Sequence, residues 1–145
     1  MPAINDYIIG LRHVGIVTEN LDEMVDRLQA IFGLADTAVE RVESPETRFA
    51  FFSIGGTPYE VIEPVSDNFK EILLKTNQGA NHVCYNVSDL EAAVATMKEK
   101  NVRLGHVTPE GIVSLPSFKM AYFNPEDTAG ILIEMVEDLS AGDDS

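Results

Sequence analysis

At 145 residues, 45% of them apolar, the chain is long enough for one ordinary domain or for two small modules sharing a core. Ten basic residues against 24 acidic ones leave a net charge of −14 with no basic stripe, which argues against a nucleic-acid partner and reads as solubility. No run approaches the ~18 apolar residues that span a bilayer, and the single cysteine, Cys84, forbids an internal disulfide and suits a reducing cytoplasm.

The opening MPAINDYIIG has neither a basic n-region nor a long apolar h-region, so no secretory leader is expected. Residues 9–17 alternate as a strand, with Leu11, His13, Gly15 and Val17 on one face and Val14 and Ile16 on the other. Asn20 and Glu23 resemble a capping box, after which Leu21, Met24, Val25, Leu28, Ile31 and Phe32 form an apolar helical stripe ended by Gly33. Residues 36–42, 48–54 and 58–63 read as strands, the last two joined by a Gly55-Gly56 turn. A linker from Pro64 leads to a short helix, FKEILLKT, capped by Asn68 and Glu71 and ending near Gly79. The second half then reads as strand 81–87, a Ser88/Glu91 capping box, helix 89–100, and strands near 103–107, 118–123 and 130–136. The polar tail 138–145 is expected to be disordered.

The two halves repeat each other. At an offset of 69, His13-Val14 meets His82-Val83, Leu21 meets Leu90, Val25 meets Val94 and Leu28 meets Met97. At an offset of 74, the run from Gly56 through Glu60 to Glu63 meets the run from Gly130 through Glu134 to Glu137. The order and spacing point to duplication. The expected fold class is α+β: two tandem βαβββ modules, about 9–64 and 80–137, joined by a linker helix at about 65–79 within one domain.

Each module thus contributes one histidine on its first strand and one glutamate on its last. If the modules pair about a pseudo-twofold axis, His13, Glu60, His82 and Glu134 converge on one concave surface. Two imidazoles and two carboxylates suit a divalent cation such as Zn, Ni, Co, Mn or Fe(II), with positions left for water or substrate. The blander alternative is four unrelated residues: a lone strand histidine is more often core or surface, and a lone glutamate is usually solvated. Alternation, however, puts His82 on a face with Cys84, and Glu134 on a face with Leu132 and Val136, where unpaired burial is costly.

The runs HVGIV, Gly-x-x-x-Glu, NHVCYNV and FNPEDTAGILIE together resemble the vicinal oxygen chelate superfamily over about residues 9–137. The resemblance implies a curved mixed sheet around a metal-centred cavity, with His13, Glu60, His82 and Glu134 as ligands of one divalent ion (Co, Ni, Zn or Mn). Within that superfamily, YEVIEPVSDNFKEILLKTNQGANHVCYNV and FNPEDTAGILIEM are most similar to the methylmalonyl-CoA epimerase family. Two segments depart from it. Pro45-Glu46-Thr47-Arg48-Phe49 stands where that family carries Gly-Val, and the turn before the closing strands contains Pro116.

The implied chemistry is proton removal beside a thioester through an enolate, with the metal as Lewis acid and template. The resemblance makes Glu134 one acid–base group and Glu46, which follows Pro45, the candidate for the opposite face; a solvated loop acid is the plain alternative for Glu46. The implied partner is a small acyl-CoA thioester, with a homodimer as the assembly and no membrane. Glyoxalase I-type lyase activity on a glutathione adduct is the nearest rival, since SPETRFAFF resembles that strand entry. Arg12, Arg41, Arg48 and Lys119 are scattered, however, and form no basic cluster in sequence. A dioxygenase fits less well, because a facial triad needs only one carboxylate. A ligand-sequestering binding protein of the same fold would not need the complete ligand set. Cys84 reads as a small buried thiol and His106 as a surface or loop group.

Overall fold

The computed structural model of the chain describes residues 3–75, 82–105 and 107–139. It divides into two compact units: His13–His82, and the N-terminal arm to Arg12 together with the chain from Val83 onward. Each carries the strands and helix of one repeat, in a mixed α+β fold.

In the first unit, β1 (Ile8–Val17, counted here from His13), α1 (Leu21–Phe32), β2 (Glu40–Glu43), β3 (Thr47–Ile54) and β4 (Thr57–Pro64) follow in that order. The strand order is β2-β3-β4-β1, with β1 parallel to β4 and the other neighbours antiparallel. The sheet is therefore mixed. Leu21 and Val25 of α1 pack on Ala50, Phe52 and Val61, with Ile16 and Leu28 against them. Strand alternation then sends the residues between these to the other face of the sheet, away from the helix. His13 and Gly15 of β1 and Glu60 and Ile62 of β4 lie there.

α1 begins where its orphan N–H groups find acceptors. Asn20 accepts from Glu23 N at 3.0 Å, and Glu63 accepts from Leu21 N at 2.9 Å. At the other end Gly33 takes φ +70°, a conformation that costs glycine no Cβ clash, and its N–H bonds Gln29 O. Arg48 ties this corner together by reaching Glu63 at 3.1 Å and Asp22 at 3.0 Å.

The second unit repeats the device. β5 (His82–Val87, counted here from Val83), α3 (Leu90–Glu99), β6 (Val113–Ser114), β7 (Phe118–Phe123) and β8 (Leu132–Asp138) lie in the strand order β5-β8-β7-β6. Leu90, Ala93 and Met97 of α3 pack on Val87, Ala121, Phe123 and Met135. Glu137 accepts from Leu90 N at 2.8 Å, and Lys119 stands between Glu91 (2.6 Å) and Glu137 (3.5 Å) as Arg48 does between Asp22 and Glu63. The last glutamate of each Gly-x-x-x-Glu-x-x-Glu run is thus a helix cap supplied by a strand. Glu63→Ala is expected to cost about 1–2 kcal/mol, the range for a lost cap and a lost hydrogen bond to a charged group. Urea unfolding checks it, and Glu137→Ala should cost a similar amount.

Several sequence expectations need correction. The helix after β5 is capped by Asp89, which accepts from Ala92 N at 3.0 Å, because Ser88 is occupied by the backbone carbonyl of Tyr7. The strand expected over 36–42 shortens to β2, preceded by a 3-10 turn at Asp36–Ala38, where Gln29 bonds both Leu34 O and Asp36. The linker helix is α2 (Asp67–Lys70), capped by Ser66 rather than Asn68, and it passes into a π-helical turn at Glu71–Lys75. Its expected end near Gly79 lies outside the described residues, as do His106 and residues 140–145 of the tail. The strand expected near 103–107 reduces to a single bridge between Leu104 and Phe123. There the Thr108 hydroxyl takes the Tyr122 N–H at 2.7 Å, in place of a continued ladder.

Candidate metal centre

Three of the four expected ligands meet within the first unit. Strand β1 brings His13, the parallel β1–β4 ladder sets Glu60 beside Gly15, and the chain returns at His82. His13 Nε2 lies 3.3 Å from His82 Nε2 and 3.2 Å from Glu60 Oε1, and His82 Nε2 lies 3.7 Å from the same oxygen. The imidazole planes are at 80° with centroids 5.4 Å apart, so their edges rather than their faces meet. His82 is 1% exposed and His13 9%.

The donor set fits a divalent ion. Ligand atoms each ~2.1 Å from a common ion, at tetrahedral or octahedral angles, stand roughly 3.0–3.4 Å apart. The three atoms here cluster close to that spacing, and their chemistry, two imidazole nitrogens and a carboxylate oxygen, is that of a borderline metal. The group lies on the sheet face opposite α1. Phe51 is the ladder partner of Glu60, and its ring stacks on Phe49 at 5.9 Å, so an aromatic pair borders the carboxylate on β3.

Glu134 belongs to the second unit. It is 4% exposed, opposite Tyr122 in the β7–β8 ladder, on the face of β8 that turns away from α3. Val136 shares that face and Cys84 is buried, as the alternation of the sequence implied. Glu46 is placed differently. It is exposed on the turn between β2 and β3, where its carbonyl accepts from Val65 N and Ser66 N, and its carboxylate accepts from Ser66 Oγ at 3.4 Å. It precedes Phe51, the partner of Glu60, by five strand positions, which is about 16 Å at ~3.3 Å per residue. The structure does not bring Glu46 to the His13–Glu60–His82 group.

The scattered cations are engaged with the protein's own acids. Arg12 bonds Asn86 and Asp138 and lies over the Phe118 ring; Arg103 pairs with Asp127 and Glu126. The Arg48 hydrogen bond, reinforced by the charges of Arg48 and Arg41, holds the Asp22 carboxyl below its ordinary range. The Lys119 hydrogen bond does the same for Glu91, and that of Arg103 for Asp127. Sequence reasoning saw Arg12, Arg41, Arg48 and Lys119 only as scattered. Their role was legible only in the matching places of Arg48 and Lys119 on the third strand of each repeat.

A family model, that of the glyoxalase/bleomycin resistance protein/dioxygenase superfamily, matches residues 12–118. The chain belongs to this superfamily. Among curated members, the chain is 33% identical over 132 residues to a mitochondrial methylmalonyl-CoA epimerase of Dictyostelium discoideum, covering 88% of this chain and 77% of that one. It is also 28% identical to the uncharacterised YqjC of Bacillus subtilis, covering 88% and 91% of the two chains. The same fold appears in the crystal structure of methylmalonyl-CoA epimerase from Mycobacterium tuberculosis, with TM-score 0.72, 23% identity, and 100% and 97% of the two chains covered. Superfamily membership, these relatives and the three-residue cluster support a metal-dependent enzyme of the isomerase and epimerase kind.

Proposed function

We propose that the chain is a divalent-metal-dependent epimerase acting on an acyl-CoA thioester of the methylmalonyl type. The observation that carries this reading is the meeting of His13, Glu60 and His82 in a chain one-third identical to an epimerase of that name. Glu134 is the fourth ligand in this reading, because it is the counterpart of Glu60 in the repeat, and the ion is Co, Ni, Zn or Mn. In this reading the assembly is a homodimer, and a reducing cytoplasm suits a chain whose single cysteine is Cys84. Among the described residues no helix is long and apolar enough to cross a membrane.

Epimerisation removes the proton from the carbon α to the thioester carbonyl and returns one to the opposite face. The electron pair of the broken C–H bond moves into the carbonyl and comes back when the new C–H bond forms. A bound divalent cation supplies Lewis-acid stabilisation of the negative charge that develops on the substrate oxygens. His13, His82 and Glu60 would hold that cation, and the Glu134 carboxylate would take the proton. The stacked Phe49–Phe51 pair gives the Glu60 carboxylate an apolar border on β3. The assignment of Glu46 as acid on the opposite face rests on the resemblance alone, and its place on the β2–β3 turn lends it no support.

The test begins with metal content in the purified protein, followed by chelator dialysis and reconstitution. Deuterium exchange into the α-carbon of methylmalonyl-CoA is expected to vanish with the metal and to return with it. Exchange absent from the metal-loaded protein, with turnover of the methylglyoxal–glutathione adduct instead, would replace this reading by the lyase. Metal-loaded protein inert in both assays would leave a binding protein of the same fold.

A further inference from the structure

The His82 ring occupies a place that a side chain on Gly15 would need. A Cβ built on Gly15 would stand 2.0 Å from His82 Cε1, 2.2 Å from Nε2 and 2.6 Å from Nδ1. No real side chain tolerates such contacts, and the obstacle is a ring 1% exposed, not the free end of a flexible chain. Gly15 has no need of its usual conformational licence here: it lies mid-strand, in register with Glu60, two residues after His13 on the same face. Glycine in a strand interior weakens the strand unless another group approaches the backbone closely. Here the approaching group is the imidazole that reaches both other members of the triad.

We infer that Gly15 is a positioning residue for the metal centre: its missing side chain is the slot that seats His82 with Nε2 turned toward His13 and Glu60. This rests on the metal-dependent reading above and extends it to a residue that touches no ion. Gly10, on the same strand, supplies the control, since a Cβ there meets nothing within 4 Å. Any effect shared by Gly10→Ala and Gly15→Ala comes from the backbone; an effect confined to Gly15 comes from the ring.

The test has two readouts. In cobalt titrations followed by the visible absorption of the ion, Gly15→Ala is expected to weaken Co²⁺ binding by roughly 10–100-fold, the range for groups that orient ligands. Gly10→Ala should bind as the parent does. Thermal unfolding of metal-free protein gives the second readout, as a cycle with His82→Ala. Gly15→Ala should lower Tm by about 3 °C or more with His82 present, the shift that ~1 kcal/mol produces in a domain this size. In the His82→Ala background it should leave Tm unchanged or raise it, because the new methyl enters vacated space. Should Gly15→Ala alone fail to fold, recovery of folding in the double variant supports the slot. Cobalt binding by Gly15→Ala equal to that of the parent, or an equal Tm loss in both backgrounds, overturns it. A parent that binds no Co²⁺ defeats the metal reading instead, and the Tm cycle still decides the slot.

Discussion

His82→Ala is expected to lower the affinity for Zn²⁺ or Co²⁺ by about a thousandfold while leaving the far-ultraviolet circular dichroism of the metal-free protein unchanged. Structural sites with four protein ligands bind with apparent energies of ~10–16 kcal/mol, so one ligand carries about 3–4 kcal/mol, or two to three powers of ten. The ring is buried, and its Nε2 lies 3.3 Å from His13 Nε2 and 3.7 Å from Glu60 Oε1, so its loss removes one of three clustered donors. Truncation also leaves a cavity, which should cost the metal-free protein about 2–3 kcal/mol. The two effects separate the metal centre from its plainest rival. If the cluster is only a buried His–Glu ion pair, His82→Ala lowers stability and leaves metal binding as weak as it was. Titration calorimetry beside thermal unfolding distinguishes these outcomes, and unchanged metal affinity in the variant would sink the metal assignment.

Much of this site was legible because duplication marks it twice. A histidine on a strand means little alone; His13 and His82 at matching places, each followed by a capped amphipathic helix, mean more. Period-two alternation also predicted the face that Glu134 shares with Leu132 and Val136, since its neighbour Met135 packs under the helix. What the pattern left dark depends on contacts distant in sequence. Ser88 and Asp89 are equally good caps on paper, and only the carbonyl of Tyr7, 81 residues from Ser88, takes the serine out of the competition. Glu63 closes the same Gly-x-x-x-Glu-x-x-Glu run as Glu60, yet three residues along a strand turn it to the opposite face, where the N–H of Leu21 and the guanidinium of Arg48 await it. Glu46 was assigned from the proline before it. The ladder of β3 with β4 carries it the length of a strand from Glu60, a displacement that no local motif encodes.

The repeat makes Glu60 and Glu134 counterparts, but the proposed chemistry makes them unequal, and glutamine substitutions should expose the difference. Glutamine keeps an oxygen donor of the same reach and loses both the charge and the ability to accept a proton at neutral pH. Glu60→Gln is therefore expected to weaken metal binding and to recover most of its α-deuterium exchange once the metal is saturating. Glu134→Gln is expected to lose at least about a thousandfold in exchange even at saturating metal, within the ~10²–10⁴ attributed to a general base. Glu46→Gln, altering an exposed turn acid bonded to Ser66, should stay within about threefold of the parent, a small effect by the same measure. Exchange by Glu134→Gln restored at high metal would reduce Glu134 to a ligand and require another base. A deep loss at Glu46 instead would mean that the β2–β3 turn moves to the substrate when it binds. The decisive comparison is thus between two residues that the sequence wrote as equivalents: one should fail through the metal and the other through the proton.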